Sequence, residues 1–242
     1  MNRIKKIIGF SILGAYIVAM TSFVNVTYNA RHCSDIDIII KDSLNTHFVQ
    51  DTDIEKIIAY KKYDLDKKRP DEINLHEIES SIEKHPSIKD CDCYFLANST
   101  MCIVVTQRRP IARIMTNKQN FYIDDRGEQM PISNFYTAHV PIITGNVKTE
   151  IIKTDLFNII EQINSDSFWN AQIVQIEVEA NGEYTLIPRA GRQRIELGTA
   201  ENLDIKFQSL KALYLQVFNN NSWNKYKTIS LKYDGQVVCT KK

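Results

Sequence analysis

A stretch of 24 residues without a charged side chain, from position 7 to position 30, lies near the N-terminus. A helix needs about 20 mostly apolar residues to cross the hydrocarbon layer of a bilayer, because each residue rises about 1.5 Å. Arg3, Lys5 and Lys6 precede the stretch, and such basic residues stay on the cytoplasmic side. We therefore expect a cytoplasmic N-terminus over 1–6, one transmembrane helix over 7–30, and the remainder outside the cytoplasm.

A cleaved signal peptide is the alternative interpretation of this stretch, because its basic and apolar regions would look much the same. However, the residues after Met20 contain no clean small-x-small cleavage site, and Cys33 follows Ala-Arg-His, a poor lipoprotein acylation box. These residues favour an uncleaved anchor. Under either interpretation the residues after position 30 are exported, so the function has to lie there.

The charge balance gives no support to a nucleic-acid partner. The formal net charge is +1, whereas phosphate binding needs clustered Lys and Arg. The longest basic runs, Lys67-Lys68-Arg69 and Arg108-Arg109, are short, and short charge runs are usually solvated surface.

Five cysteines, an odd number, leave at least one thiol unpaired in an exported chain. Cys91-x-Cys93 with Cys102 does not match the usual zinc spacing, which begins Cys-x₂₋₄-Cys. We interpret these three residues as small apolar side chains on neighbouring strands, with a cross-strand disulfide as the lesser alternative. Neither interpretation requires a metal or a cofactor.

The first exported half has the element order strand, helix, helix, strand, strand. A β-branched run begins at Asp35, and Thr52-Asp-Ile-Glu55 and Asn74-Leu-His-Glu77 each have the spacing of a helix capping box. Pro86 stops the second helix, and strands are expected over 88–96 and 101–106. A helix pair on one face of a small sheet buries the apolar face of each element, so an α+β domain is predicted.

The second half predicts a mixed β-domain with a long helix near its C-terminus. Asn181-Gly182 is a strong hairpin signal, because both residues tolerate positive φ. We expect 131–145 to be irregular. The predicted helices cover 154–163 and 201–218, and the predicted strands cover 111–115, 121–124, 173–180, 184–188, 192–197, 226–233 and 236–239.

No catalytic constellation is present in the sequence. The histidines, His32, His47, His76, His85 and His139, are scattered, and no phosphate-binding glycine loop or Gly-x-Ser-x-Gly elbow occurs. Asp124-Asp125 is the notable carboxylate pair, but adjacent strand residues point to opposite faces. We therefore assign Asp125-Arg-Gly-Glu128 to a turn, and predict a non-enzymatic protein without a metal site, cofactor or small-molecule substrate.

Four short motifs occur in a fixed order along the exported chain. They are Thr106-Gln-Arg-Arg-Pro110-Ile-Ala-Arg113, Tyr122-Ile-Asp124-Asp-Arg-Gly127, His139-Val-Pro141-Ile-Ile-Thr-Gly145 and Ile229-Ser-Leu-Lys-Tyr233. With the N-terminal anchor, they resemble the FtsQ/DivIB family of bacterial cell-division proteins over essentially the whole chain. Ser230 and Lys232 depart from the Asp and Arg of the family's closing "hydrophobic-Asp-Leu-Arg-Tyr" strand, and both changes are chemically mild.

The resemblance implies a POTRA-like domain over 31–109 and a β-domain over 110–242. Members of the family are membrane-anchored scaffolds at the division septum, where they hold the coiled-coil membrane proteins FtsL and FtsB and contribute to control of septal peptidoglycan synthesis. The implied partners are therefore FtsL/FtsB-like proteins and septal cell-wall synthases. The implied location is the inner membrane at the septum, with most of the chain outside the cytoplasm.

The expected binding segment is 229–238, near the C-terminus. A final strand at a sheet edge leaves backbone groups that another chain can pair with by β-augmentation. Tyr233 would be the anchor, because its ring supplies contact area together with a hydroxyl, although a plain strand role for Tyr233 is the alternative. The predicted partner-binding residues are Ile229, Leu231, Tyr233, Gln236, Val237 and Val238.

Other function classes remain as alternatives to a division scaffold. The main one is an exported POTRA-type binding module in secretion or envelope assembly, which would be expected to carry repeated POTRA units or a barrel region. A membrane-anchored hydrolase and a generic surface binding protein are two more. Activity on cell-wall fragments would support the hydrolase, and localisation at midcell separates a division protein from the generic binder.

Overall fold

The computed structural model describes residues 11–22, 32–33, 35–41, 46–61, 63, 65, 68–217, 225–233 and 235–242. The chain divides into two compact units between Gln107 and Arg108, two residues before the boundary predicted at 109/110. Residues 11–22 are helical, and the predicted span over 7–30 extends outside the described residues on both sides. Within the described part, no helix is both long enough and apolar enough to cross a membrane.

The N-terminal unit has the predicted order strand, helix, helix, strand, strand. Its sheet has the order β1-β3-β2, with β1 parallel and β2 antiparallel to β3. A short 3₁₀ turn, Pro70–Glu72, precedes the second helix. The elements are β1 Asp35–Lys41, α1 Asp51–Lys61, α2 Leu75–Ile82, β2 Ile88–Phe95 and β3 Thr100–Gln107.

The starts of the two helices agree only in part with the predicted capping boxes. The Asn74 side chain accepts a hydrogen bond from the Glu77 backbone N–H at 3.3 Å, as expected for α2. The box predicted at Thr52 is wrong, because α1 already begins at Asp51. Instead the Asp53 carboxylate accepts a hydrogen bond from the Gln50 backbone N–H at 3.1 Å. This is the contact that the Glu55 carboxylate was predicted to make with the Thr52 backbone N–H, and it lies two residues closer to the N-terminus.

Alternate residues of β3 and one face of each helix form the core of the N-terminal unit. Met101, Ile103 and Val105 are completely buried, and they pack with Ile54 of α1 and Ile78 of α2. Every second residue of a strand points to the same face. The side chains of Met101, Ile103 and Val105 therefore form one continuous apolar surface beneath the helices.

None of the five cysteines forms a disulfide within the described residues. Cys91 and Cys93 lie on the helix-facing side of β2, and Cys102 is buried on β3. The hydrogen bond to Cys93, together with burial, raises the pKa of the Cys91 thiol. The interpretation of these residues as small apolar side chains on neighbouring strands is confirmed, and the alternative of a cross-strand disulfide is wrong.

A nine-stranded sheet forms the C-terminal unit, with the order β12-β11-β10-β9-β8-β7-β4-β5-β6. The helices are α3 Thr149–Ile151 continuing through a π-helical turn Ile152–Leu156 into Phe157–Asn164, α4 Ser167–Gln172 and α5 Leu203–Val217. The strands are β4 Pro110–Met115, β5 Asn120–Asp124, β6 Gln129–Met130, β7 Ile142–Gly145, β8 Ile173–Val178, β9 Tyr184–Pro188, β10 Arg194–Gly198, β11 Tyr226–Ser230 and β12 Val238–Lys241.

Three elements of this unit were not predicted, namely β6, β7 and α4. Strand β7 lies inside the stretch expected to be irregular, and it joins the two halves of the sheet by pairing in parallel with β4 and β8. At its end Gly145 has φ +90°, and a Cβ there would lie 2.1 Å from the Val178 carbonyl oxygen, so only glycine fits. Helix α4 starts where the Asp166 side chain accepts from the Phe168 backbone N–H at 2.9 Å.

The turn between β5 and β6 is organised by a buried ion pair. Asp124 Oδ2 accepts from Arg108 Nε at 2.8 Å and Nη2 at 2.7 Å. Asp124 Oδ1 accepts from the backbone N–H groups of Arg126 and Glu128 at 3.0 and 2.8 Å. Because Gly127 closes the turn with φ +74° and donates its N–H to the Asp124 carbonyl, the predicted turn role of this segment is confirmed.

Candidate functional site

The C-terminal end of the sheet is built from a β10-α5-β11 crossover and a closing hairpin. β11 lies parallel to β10, with Ile229 opposite Ile195, and α5 connects them across the face of the sheet. β12 is antiparallel to β11, with Ile229 opposite Cys239. β12 is therefore one of the two edge strands of the sheet, β6 being the other, and its outer backbone groups have no neighbouring strand in the described part of the chain.

Two of the predicted binding residues lie in the core. Ile229 has no exposed surface, since it belongs to β11, which has a neighbouring strand on each side. Leu231 follows β11 directly, and its backbone N–H donates to the Glu196 carbonyl at 2.8 Å. The predicted binding segment 229–238 therefore runs from β11 through the turn, and of its residues only Val238 lies in the edge strand β12.

The other four predicted residues lie in or beside the β11–β12 turn. Tyr233 is 60% exposed, and Gln236 and Val238 are also exposed, whereas Val237 packs partly against the core. The Gln236 backbone N–H donates to the Tyr233 carbonyl at 3.2 Å. The structure thus places an exposed aromatic ring in the turn that leads into the edge strand β12, while the partner-binding role of these residues stays a prediction.

Helix α5 adds residues that the sequence interpretation did not include. Ile205, 57% exposed, lines a shallow groove together with Ser209, Tyr233 and Gln236. Ile205 lies outside the apolar stripe that predicts this helix, so an isolated apolar residue on its polar face is the signal that could have identified it. At the edge itself, Thr240 and Lys241 extend β12 beyond the predicted end at 239.

An ion pair holds the chain just before Tyr233. Lys232 Nζ lies 2.6 Å from Glu183 Oε2, and the Lys232 side chain passes over Gly198, where an added Cβ would lie 3.2 Å from Lys232 Cγ. The hydrogen bonds from Lys232 and Asn181 hold the pKa of the Glu183 carboxyl below its ordinary range. The pair thereby ties the start of the turn to the β8–β9 hairpin.

We expect the Lys232→Met variant to raise the pKa of Glu183 toward its ordinary value. A depressed carboxyl pKa stabilises the folded state above the ordinary Glu range, and this contribution disappears as the pH falls through the folded pKa. Carboxyl-carbon NMR titration of Glu183 in both proteins measures the shift. Lys153→Met is the control, because Lys153 pairs with Glu128 elsewhere on the sheet; an unchanged Glu183 titration in Lys232→Met would contradict the prediction.

The site offers backbone pairing and apolar contact. Within the described residues, no group of three His, Cys, Asp or Glu side chains is placed to hold a metal ion. An open strand edge that follows a turn with an exposed tyrosine suits an extended protein segment, which would gain backbone hydrogen bonds from the edge and side-chain contacts from the ring.

Comparison with known proteins assigns a family to each unit. The model of the POTRA-like domain matches residues 31–106. The model described as FtsQ/DivIB, C-terminal related, matches residues 109–240, which is more than half of the chain and includes the nine-stranded sheet except for the last residue of β12. No curated protein matches the sequence. With its POTRA-like domain followed by this C-terminal domain, the chain belongs to the FtsQ/DivIB family.

Proposed function

We propose that this protein is a non-enzymatic, membrane-anchored scaffold of the bacterial division machinery. It binds other septal proteins and helps control septal peptidoglycan synthesis. The observation that carries the proposal is the open edge of β12, reached through a turn that exposes Tyr233, in a domain that matches the FtsQ/DivIB family.

The partner binds by adding a strand to β12. Its backbone pairs with the unpaired N–H and C=O groups of the edge, while one of its side chains rests on Tyr233 and the neighbouring Ile205. FtsL/FtsB-like coiled-coil membrane proteins are the proposed partners, with septal cell-wall synthases in the same assembly. The uncharged stretch over 7–30 anchors the chain in the inner membrane, with the N-terminus in the cytoplasm.

Depletion of the protein in its host tests the proposed role. We expect cells that elongate without septa and that divide again when the intact gene is supplied. A fluorescent fusion of the full chain is expected at midcell. Cells of normal length after depletion would contradict an essential division role, and a uniform envelope distribution would favour the POTRA-type module of secretion or envelope assembly.

We expect Tyr233→Ala to weaken partner binding by at least about tenfold, because truncation of an aromatic anchor commonly removes about 2 kcal/mol or more. The folded state is expected to keep its stability, since the ring is mostly exposed. Affinity for co-purified FtsL/FtsB-like partners is the measurement, and complementation of depleted cells is the second readout.

Tyr60→Ala is the matched control, because Tyr60 is an exposed tyrosine of the N-terminal unit. It should leave both affinity and cell length unchanged. Equal affinities for the wild type and Tyr233→Ala would show that the ring makes no contact with the partner.

A further inference from the structure

A second open strand edge lies in the N-terminal unit, far along the chain from β12. β1 has seven residues and forms one edge of the three-stranded sheet, where it pairs with β3 over its whole length. No other strand neighbours it in the described residues. Its outer backbone groups therefore offer the same kind of pairing surface as any free edge.

The opposite edge of the same sheet is less accessible. The backbone N–H of Cys93 in β2 donates to the Glu79 carboxylate of α2 at 2.8 Å, so a side chain already occupies this position. A register irregularity between Ile88 and Asp90 further disturbs β2, and such bulges protect edges against pairing. Of the two edges, β1 is the one open to an added strand.

An apolar cavity opens beside β1 on the helix side. Its volume is about 450 Å³, and Ile36 and Ile38 of β1 line it together with Ile58 of α1 and Leu65, while Asp35 and Glu55 add carboxylates to the lining. Ile36 and Ile38 are only half-buried. Alternate side chains of a strand added to β1 would lie on this side of the sheet and could fill the cavity.

The other face of β1 is acidic at its N-terminal half. Asp35 and Asp37 are exposed, and neither forms an ion pair within the described residues. The surrounding domain is acidic as well, since residues 31–107 carry 15 Asp and Glu against 10 Lys and Arg, a net charge of −5. The intervening side chains of an added strand would meet these carboxylates, which favours cations.

We propose that β1 is a docking edge for an extended protein segment that alternates apolar residues with Lys or Arg. The apolar residues enter the cavity beside Ile38, and the basic residues at positions i and i+2 pair with Asp35 and Asp37. Anionic lipid surfaces and nucleic acids are disfavoured at this face, because the same carboxylates repel phosphate. This site is independent of the division role, since it uses a different domain and a different sheet edge from β12.

A designed peptide with the sequence Ser-Ile-Lys-Val-Lys-Ile-Thr-Gly, labelled with fluorescein, is the probe. Binding to the full chain in detergent is measured by fluorescence anisotropy at about 0.15 M salt, where screening acts over about 8 Å. We expect saturable binding and slower amide hydrogen exchange over 35–41. The peptide with Glu in place of Lys, and the peptide N-methylated at alternate residues, are expected to bind at least about tenfold more weakly.

The charge-reversal double variant Asp35→Lys/Asp37→Lys is expected to weaken binding of the Lys peptide at least about tenfold. Asp90→Lys/Asp92→Lys is the matched control, because it makes the same charge change at exposed positions of β2 on the same sheet, and it should stay within about twofold of the wild type. Equal weakening by both variants, undiminished binding of the N-methylated peptide, or no binding at millimolar peptide would each overturn the proposal.

Discussion

Replacement of Trp169 by alanine is expected to lower the free energy of unfolding of the C-terminal unit by about 3–5 kcal/mol, the usual range for a buried Trp or Phe. Trp169 is 2% exposed and lies at the centre of an aromatic cluster that joins α4 to α5. Its ring packs edge-to-face against Phe168, Phe207 and Tyr214, with centroid distances of 4.8, 5.5 and 5.4 Å.

The truncation leaves a large cavity between two helices and the sheet, and it also removes edge-to-face contacts of about 0.5–1.5 kcal/mol each. Amide hydrogen exchange in β8 and β9 measures the loss, because it reports the stability of this unit separately from the N-terminal one. Phe135→Ala is the control, since Phe135 is exposed in the same unit, and it should change stability by less than about 0.5 kcal/mol. A loss below about 1 kcal/mol in Trp169→Ala would contradict the prediction.

Asp124→Ala is expected to destabilise the same unit by about 3–5 kcal/mol, the usual effect of removing one partner from a buried ion pair. Asp124 is 2% exposed, and its carboxylate accepts from Arg108 and from two backbone N–H groups of the turn. The variant removes the carboxylate that pairs with the Arg108 guanidinium and takes this acceptor away from both N–H groups, which adds a desolvation penalty for each.

Asp124→Asn should fall between the wild type and Asp124→Ala, because its amide oxygen can still accept from the turn while the charge is lost. Asp125→Ala is the matched control at the adjacent exposed position, where the loss is expected to stay below about 1 kcal/mol. Urea-dependent hydrogen exchange of β4 and β5 measures the order of the three variants. If Asp125→Ala proved as damaging as Asp124→Ala, the buried pair would not be what stabilises the turn.

The predictions that the structure confirmed are those that depend on residues close together in the sequence. The Asn74 cap, the Asn181-Gly182 hairpin and the Gly127 turn each depend on residues a few positions apart, and each appears in the structure. The motif around Gln107, Arg108 and Asp124 also pointed to the correct family. The structural role of these residues became visible only in three dimensions. The Gln107 side-chain oxygen accepts hydrogen bonds from the backbone N–H groups of Phe48 and Val49, and Arg108 forms an ion pair with Asp124.

The main corrections concern elements whose identity depends on distant neighbours. β7 has four residues and no alternation, and it is a strand because β4 and β8 enclose it on both sides. Likewise nothing in the local pattern distinguishes Ile229 from Val238, although the first is completely buried and the second lies on the edge. A β-strand satisfies its hydrogen bonds with partners that are remote in sequence, so edge and interior are properties of the sheet.

The amino-acid sequence by itself therefore determined the two-domain α+β organisation, the family and the region near the C-terminus where partner binding is expected. The organisation follows from hydrophobic periodicity, capping and turn residues, which act over one or two turns of chain, whereas the family and the expected binding region follow from the resemblance of four short motifs. Only the tertiary structure decided which strands are open edges, that Ile205 lies beside Tyr233, and that an apolar cavity and two carboxylates flank β1. Each of these juxtapositions joins residues that are brought together by sheet pairing and helix packing alone.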